Sequence, residues 1–426
     1  MSRPQATLVM VPVVRRRRTS LRVAKLVRAL TALFLFSLVL DGPLRFLFAA
    51  KGLMPLIYVP KILLLLAIPC LIVARWRISR GFVTGVAIVA LSLIWGAVNL
   101  ASPNQALFGL WVLVPLLYGL LVTRYMLDES EAYRRLFWML FVIAVTGVLL
   151  NPFFNYPWVG ASLEIGGTNI EISRQWGTAG FDRYAGFSRA SFGVASQLLL
   201  LATWLVATGR NRWNNLAVWL VAGVGIVMTT SKGPVAAWVA LTLFFLSGAL
   251  LHYRKSWRRT WAAALFLVLA VVVALPLSTL FIVYHTRIDS LSDALLLASF
   301  GERLSWMWPD SMALLHDIPE WLIGRGLGGI GAAQFYFDPQ HSLSADNIFV
   351  YLAVEIGPLM AGTMLFMLTR KISATFITDR KALLAFALLF ALVTYGLVTN
   401  IIEDSLLSLL LGVVIAASSR SARANG

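Results

Sequence analysis

WAAALFLVLAVVVALPLSTLFIV, residues 261–283, follows closely on the basic stretch Arg254-Lys255-Ser256-Trp257-Arg258-Arg259. An uncharged run of this length is long enough to cross a hydrocarbon core of about 30 Å as a helix. A helix is also the form in which a single segment satisfies its own backbone in lipid, where no water is at hand to do so. The arginines and lysine beside it read as a cytoplasmic stop, since basic residues gather on the inner side of short loops.

The rest of the chain repeats this unit. Its 426 residues are 59% hydrophobic and 13% charged, with a mean hydropathy of +0.81, whereas a soluble globular domain is about one quarter charged. Apolar runs place further spans at 29–48, 55–74, 82–100, 106–123, 136–151, 188–207, 214–229, 234–251, 347–369, 382–399 and 404–419. With a cytoplasmic N-terminus, the inner segments hold 26 of the 36 Lys and Arg, and most acids fall outside. The net charge of +17 is therefore topological and does not indicate nucleic acid. Four arginines ahead of an apolar run resemble a secretory signal, but no small-residue cleavage site follows and Asp41-Gly42-Pro43 interrupts the run, so an uncleaved first span is expected. Cys70 is the one cysteine, which excludes an internal disulfide and a cysteine-rich zinc site.

The expected fold is an all-α polytopic membrane protein with about twelve transmembrane helices and a helical cap on the outer side. Residues 1–28 form a basic cytoplasmic N-terminus, 29–419 the transmembrane domain, and 420–426 a cytoplasmic tail. Two outer loops, 152–187 and 284–346, are long enough to be functional. The second contains Ser305-Trp306-Met307-Trp308 and the apolar stretches Leu295 to Phe300 and Met312 to Leu315, which suggest short helices lying on the membrane.

Candidate chemistry concentrates outside. Arg174, Arg183, Arg189, Lys232, Arg287, Arg303 and Arg325 oppose the positive-inside trend, and a guanidinium fork suits a diphosphate because it donates paired hydrogen bonds and keeps its charge. The alternative is pairing with Asp182, Asp289, Asp293 or Glu302, or with lipid headgroups. Gly326, Gly328 and Gly331 match GxGxxG formally, but outside a βαβ unit this is no dinucleotide fingerprint; glycines there permit a tight turn or a close backbone approach. Asp346-Asn347 opens a span at a position where a carboxylate serves equally as an N-cap. Glu355 lies nine residues on, about 13 Å along the helix; at that depth an ionisable group costs about 2.5–3.5 kcal/mol, so it needs a partner or a wet cavity. A structural hydrogen bond is the simpler account of it. Of the histidines, His341 is the one close enough to Asp346 for acid–base work, and no spacing matches a metal motif.

In this order, several short motifs resemble the O-antigen ligase and O-antigen polymerase superfamily of bacterial membrane glycosyltransferases. They are Arg183-Tyr184-Ala185-Gly186, Ser231-Lys232-Gly233, Arg303-Leu304-Ser305-Trp306, Pro319 with the glycines from Gly324, Asp346-Asn347, and Glu355-Ile356-Gly357. The resemblance covers roughly residues 180 to 365. It implies a GT-C-like fold in the inner membrane, both termini cytoplasmic, with a periplasmic active site. It implies as partners an undecaprenyl-diphosphate-linked oligosaccharide and an acceptor glycan or glycolipid, with neither metal nor other cofactor.

On that basis Asp346, Arg303 and Arg183 are expected to be catalytic. Arg189, Lys232, Arg287, Arg325, His341, Asn347 and Glu355 are expected to bind substrate beside Arg183 and Arg303. Arginines close to a carboxylate make it a weaker proton acceptor, so Asp346 either takes the hydroxyl proton or orients the hydroxyl while His341, or no base, does so. Ligases of the superfamily usually carry His where this chain has Asp346, and Arg where it has Lys232. The first departure tilts the expectation from a ligase that loads lipid A core to a polymerase of exopolysaccharide or O-antigen, and the second loosens the residue-level transfer to ligases. The rival class is a transporter or lipid-linked oligosaccharide flippase, for which Glu355, Asp41, Arg45 and the pair Glu403-Asp404 are the candidate polar sites within the membrane. A non-catalytic assembly factor is a further alternative.

Overall fold

The structure is a computed structural model that describes residues 13–74, 80–165, 168–174, 177–178, 181–285, 290–375 and 380–424. Uncharged, strand-breaker-poor runs form helices here as their composition demands. Six of the described helices are long and apolar enough to cross a membrane: Met54–Val73, Pro103–Asp128, Ser130–Leu150, Ser191–Thr208, Lys232–Leu250 and Lys255–Ser278. Shorter apolar helices run over Val83–Asn99, Lys381–Tyr395 and Ser405–Ala417. Large side chains such as Leu66, Leu91, Leu243 and Leu267 are each 58–67% exposed on the outer surface. Apolar surface on that scale is compatible with lipid and not with water. The chain is a helical membrane protein.

The centre of the bundle holds helices buried on all sides. Ser191–Thr208 buries Leu198 to Ala202 and Trp204, and Arg380–Tyr395 buries Leu384 to Val393. Ser405–Ala424 packs along Pro103–Asp128 at a crossing where Gly119 meets the Leu409 carbonyl and Gly412 the Leu116 carbonyl. Small residues let the two backbones approach, which is how helices adhere where lipid competes for every apolar contact.

Two expected spans are broken. The run 29–48 divides into Val13–Val39 and Asp41–Ala50, bent by 82° between them, at the position of Asp41-Gly42-Pro43. Proline there leaves no amide hydrogen to continue the ladder. The run 347–369 divides into Ile348–Ile356 and Pro358–Thr375 at Gly357, whose φ of 88° ends the first helix in the left-handed region before the proline.

The first outer loop departs from the expected helical cap. It forms two short antiparallel hairpins, Ser162–Ile165 with Thr168–Glu171 and Gly177–Thr178 with Phe181–Asp182. They are anchored by stacked Tyr156 and Trp158, ring centroids 4.7 Å apart, which donate to the carbonyls of Gly147 and Gly186. The second loop is helical as expected: Leu291–Glu302, a π-helical turn over Arg303–Met307, Trp308–Ala313, Ile318–Ile323 and Ala332–Phe337. A π turn inside a helix widens the spacing of its side chains and recurs at functional sites.

Candidate functional site

A cavity of about 1270 Å³ is lined by residues from both long loops and from several helix ends. It exceeds the roughly 300–1,000 Å³ of common small-ligand pockets. Seven cations line it, Arg45, Lys61, Arg174, Arg183, Arg189, Lys232 and Arg303, against the five carboxylates Asp41, Glu302, Asp346, Glu403 and Asp404.

One group of these residues forms a string of polar contacts. Arg183 lies at the end of the hairpin loop and its Nη2 donates to Ser231 Oγ at 3.3 Å. The next residue, Lys232, starts its helix after the tight turn at Thr230, φ 52°, and reaches Ser299 Oγ at 3.4 Å. Arg303, at the start of the π turn, donates to the Ser299 carbonyl and, through Nη2, to Asp346 Oδ2 at 2.7 Å. Asp346 Oδ1 accepts from Ser344 Oγ at 3.2 Å. Four segments remote in sequence thus put three cations and one carboxylate on one wall. Burial holds the Arg183 guanidinium below its ordinary value; the Tyr395 hydroxyl opposes this, while the charge of Arg303 reinforces it. A guanidinium both desolvated and near a like charge is relieved by an anion.

Asp346 is not the N-cap of its helix. Asn347 takes that role, its Oδ1 accepting from the amides of Phe349 at 2.7 Å and Val350 at 3.1 Å. Asp346 instead adopts φ 42°, a left-handed conformation that Asp tolerates better than most residues. Its carboxylate is thereby released from capping and turned toward Arg303.

The other expected site residues lie elsewhere. Asn347 is fully buried, its Nδ2 donates to the carbonyls of Val272 and Leu397, and it caps the helix that it opens. Glu355 is buried and accepts from the Gly328 amide at 2.9 Å. Arg325 donates to the Gly329 carbonyl at 3.1 Å and stands 3.6 Å from Glu320. His341 is largely exposed and bonds Asp338 at 2.8 Å, and it does not line the cavity. Arg287 lies outside the described residues. The glycine segment from Gly324 makes a close backbone approach, but to helices and not to a ligand: the Leu327 amide donates to the Ser92 carbonyl at 3.0 Å, and Gly96 and Gly109 face Leu327 and Gly328.

Arg189 does line the cavity, together with Arg45 and Arg174. Lys61 also lines it, as do Arg45, Glu403 and Asp404, which the sequence offered only as separate polar sites within the membrane, because positions inside or between spans gave no sign of a shared hollow. The break at Asp41-Gly42-Pro43 was the one available signal, for it exposes the turn on which Arg45 follows. Among the described residues no group of three His, Cys, Asp or Glu is placed to hold a metal ion. Neither a family model nor a curated protein matches the chain.

Proposed function

We propose that the chain is a glycosyltransferase of the bacterial inner membrane, moving an undecaprenyl-diphosphate-linked glycan onto a sugar hydroxyl on the periplasmic side and so polymerising exopolysaccharide or O-antigen repeat units. The observation that carries the proposal is the convergence of Arg183, Lys232 and Arg303 on one cavity with Asp346. Twelve crossings with both termini cytoplasmic, in a GT-C-like arrangement, put that cavity at the outer face, in agreement with the basic inner segments.

Arg183, Lys232 and Arg303 hold the diphosphate. The acceptor oxygen attacks C1 of the donor glycan, the C1–O bond to phosphate breaks, and its electron pair leaves with the diphosphate. The growing negative charge meets cations already in place, which is the largest contribution that a preorganised site makes. The hydroxyl proton passes to the Asp346 carboxylate. Arg303 pairs with that carboxylate at 2.7 Å. The diphosphate competes for the same guanidinium, so donor binding frees Asp346 to face the acceptor.

Purified protein given undecaprenyl-diphosphate oligosaccharide alone is expected to make longer chains. Product that forms only when lipid A core is added would instead make it a ligase, and unchanged substrate in both cases would point to transport.

A further inference from the structure

One cavity-lining side chain that no sequence motif singled out stands beside Asp346. Tyr395 ends the helix Arg380–Tyr395, is 3% exposed and lines the hollow. The residues after it are tied to the Asp346 segment: the Gly396 carbonyl accepts from the Ile348 amide at 2.9 Å, and the Leu397 carbonyl from Asn347 Nδ2 at 3.1 Å. On another side the ring lies against the turn that carries Ser231 and Lys232. A Cβ added at Gly233 would come within 2.8 Å of the ring carbons Cδ2 and Cε2 and 2.6 Å of Val398 Cγ2, closer than real side chains approach, so the glycine of Ser231-Lys232-Gly233 makes room for this ring.

The tyrosine hydroxyl is set among charges. Asp404, Asp346 and Arg303 act on it, Thr399 is its side-chain hydrogen-bond partner, and Arg183 feels it in turn. The two carboxylates are engaged elsewhere. Asp404 Oδ1 accepts from the amides of Leu406 and Leu407, both at 3.0 Å, and Asp346 accepts from Arg303 and Ser344. Phenylalanine would fill the same slot without the cost of taking a hydroxyl out of water. A phenol both donates and accepts, so a bond accepted from Thr399 leaves its O–H for a group in the hollow.

We infer that the Tyr395 hydroxyl is a further catalytic donor, which gives its hydrogen bond to an oxygen of the diphosphate held by Arg183 and Arg303. The identity of that anion rests on the function proposed above. As the C1–O bond breaks and its electron pair passes to the diphosphate, the charge on the phosphate oxygen grows and the hydrogen bond to it strengthens. The phenol proton stays on the tyrosine throughout, and the proton of the acceptor hydroxyl goes to Asp346. A neutral donor serves here where a fourth cation would add repulsion to Arg183, Lys232 and Arg303.

Tyr395→Phe removes one oxygen and keeps the ring in its slot. Undecaprenyl diphosphate without glycan is titrated onto the full-length protein in neutral-lipid nanodiscs and read by native mass spectrometry. It is expected to bind this variant about tenfold more weakly than wild type, as for the loss of one hydrogen bond to a charged group. Chain growth from undecaprenyl-diphosphate oligosaccharide is expected to slow about a hundredfold in kcat, with the melting temperature unchanged. Difluorotyrosine at position 395, more acidic than tyrosine, is expected to lose the lipid at a lower pH than wild type. Ring packing alone would not produce that shift, and the same variant supplies the answer if Tyr395→Phe fails to fold. Gly233→Ala is expected to weaken binding in wild type and to add nothing on top of Tyr395→Phe. Undiminished binding by Tyr395→Phe while Arg303→Gln weakens it, or equal losses from Gly233→Ala in both backgrounds, would overturn the assignment and leave the proposed function standing. Weaker lipid binding by Tyr395→Phe together with no chain growth from wild type would sink the transferase and keep Tyr395 as an anion donor.

Discussion

Two polar regions of the chain carry residues of comparable chemistry to different ends. Around the glycine segment, Glu355, Arg325 and Glu320 are held by backbone and by each other: Glu355 accepts from the Gly328 amide, Arg325 donates to the Gly329 carbonyl, and its Nε, without a hydrogen bond among the described residues, stands 3.6 Å from Glu320. Around the cavity, cations outnumber carboxylates and face a hollow. The first arrangement fastens a loop to helices. The second keeps charge available for something that arrives. What distinguishes them is whether the charged groups are packed between helices or face a hollow, and residue type alone does not reveal that.

The sharpest break of this contrast is Arg303→Ala. Removing one preorganised donor to a developing charge costs about 10²–10³ in rate, so long glycan is expected to fall by that factor while the protein stays inserted and folded; a chain-length assay beside a thermal melt checks both. Arg303 loss accompanied by an equally large fall in stability would move it into the fastening class.

Glu355→Ala should do the reverse. It strands the buried Gly328 amide, for about 1–3 kcal/mol, and the fraction folded in detergent should drop; in whatever protein remains folded, turnover should stay near wild type.

A third prediction uses pH. Burial lifts Glu403, in the turn before Ser405–Ala424, to about 7, the Ala332 amide and Lys61 opposing the shift. Its folded value lies above its unfolded one, so the stability it contributes is full below about pH 4.5 and is lost as pH rises through 7. Glu403→Gln should flatten the melting temperature across that window, and an unchanged slope would remove Glu403 as its source. The smallest effect is expected of His341→Ala, because that side chain is exposed and paired with Asp338; any large loss of activity would return it to the site.

Much of this was legible from residues alone. The helices, their approximate ends and the standing of Arg183, Lys232 and Arg303 as cations apart from the basic loops followed from run length and from the charge pattern. Asp346 was legible as a candidate but not as a group freed from capping, because Asp and Asn cap equally well and only the local backbone decided for Asn347. Asn347, Glu355 and Arg325 looked like ligand groups for the same reason: a buried polar side chain is costly either way, and its partners were backbone groups tens of positions or only a few residues away. The hairpins of the first loop gave no periodic signal, since strands of two to four residues are too short to carry one.

Hydrophobic run length and charge asymmetry, both properties of the linear chain, determined that this is a helical membrane protein and which residues stand as cations outside the basic loops. Where the helices break, which carboxylate turns toward which arginine, and that guanidiniums from several parts of the chain share one hollow were decided by packing. The physical reason is range: burial in lipid is set by each segment's own composition, whereas electrostatic and hydrogen-bond partners depend on distances of a few ångströms between segments that the order of residues leaves undefined.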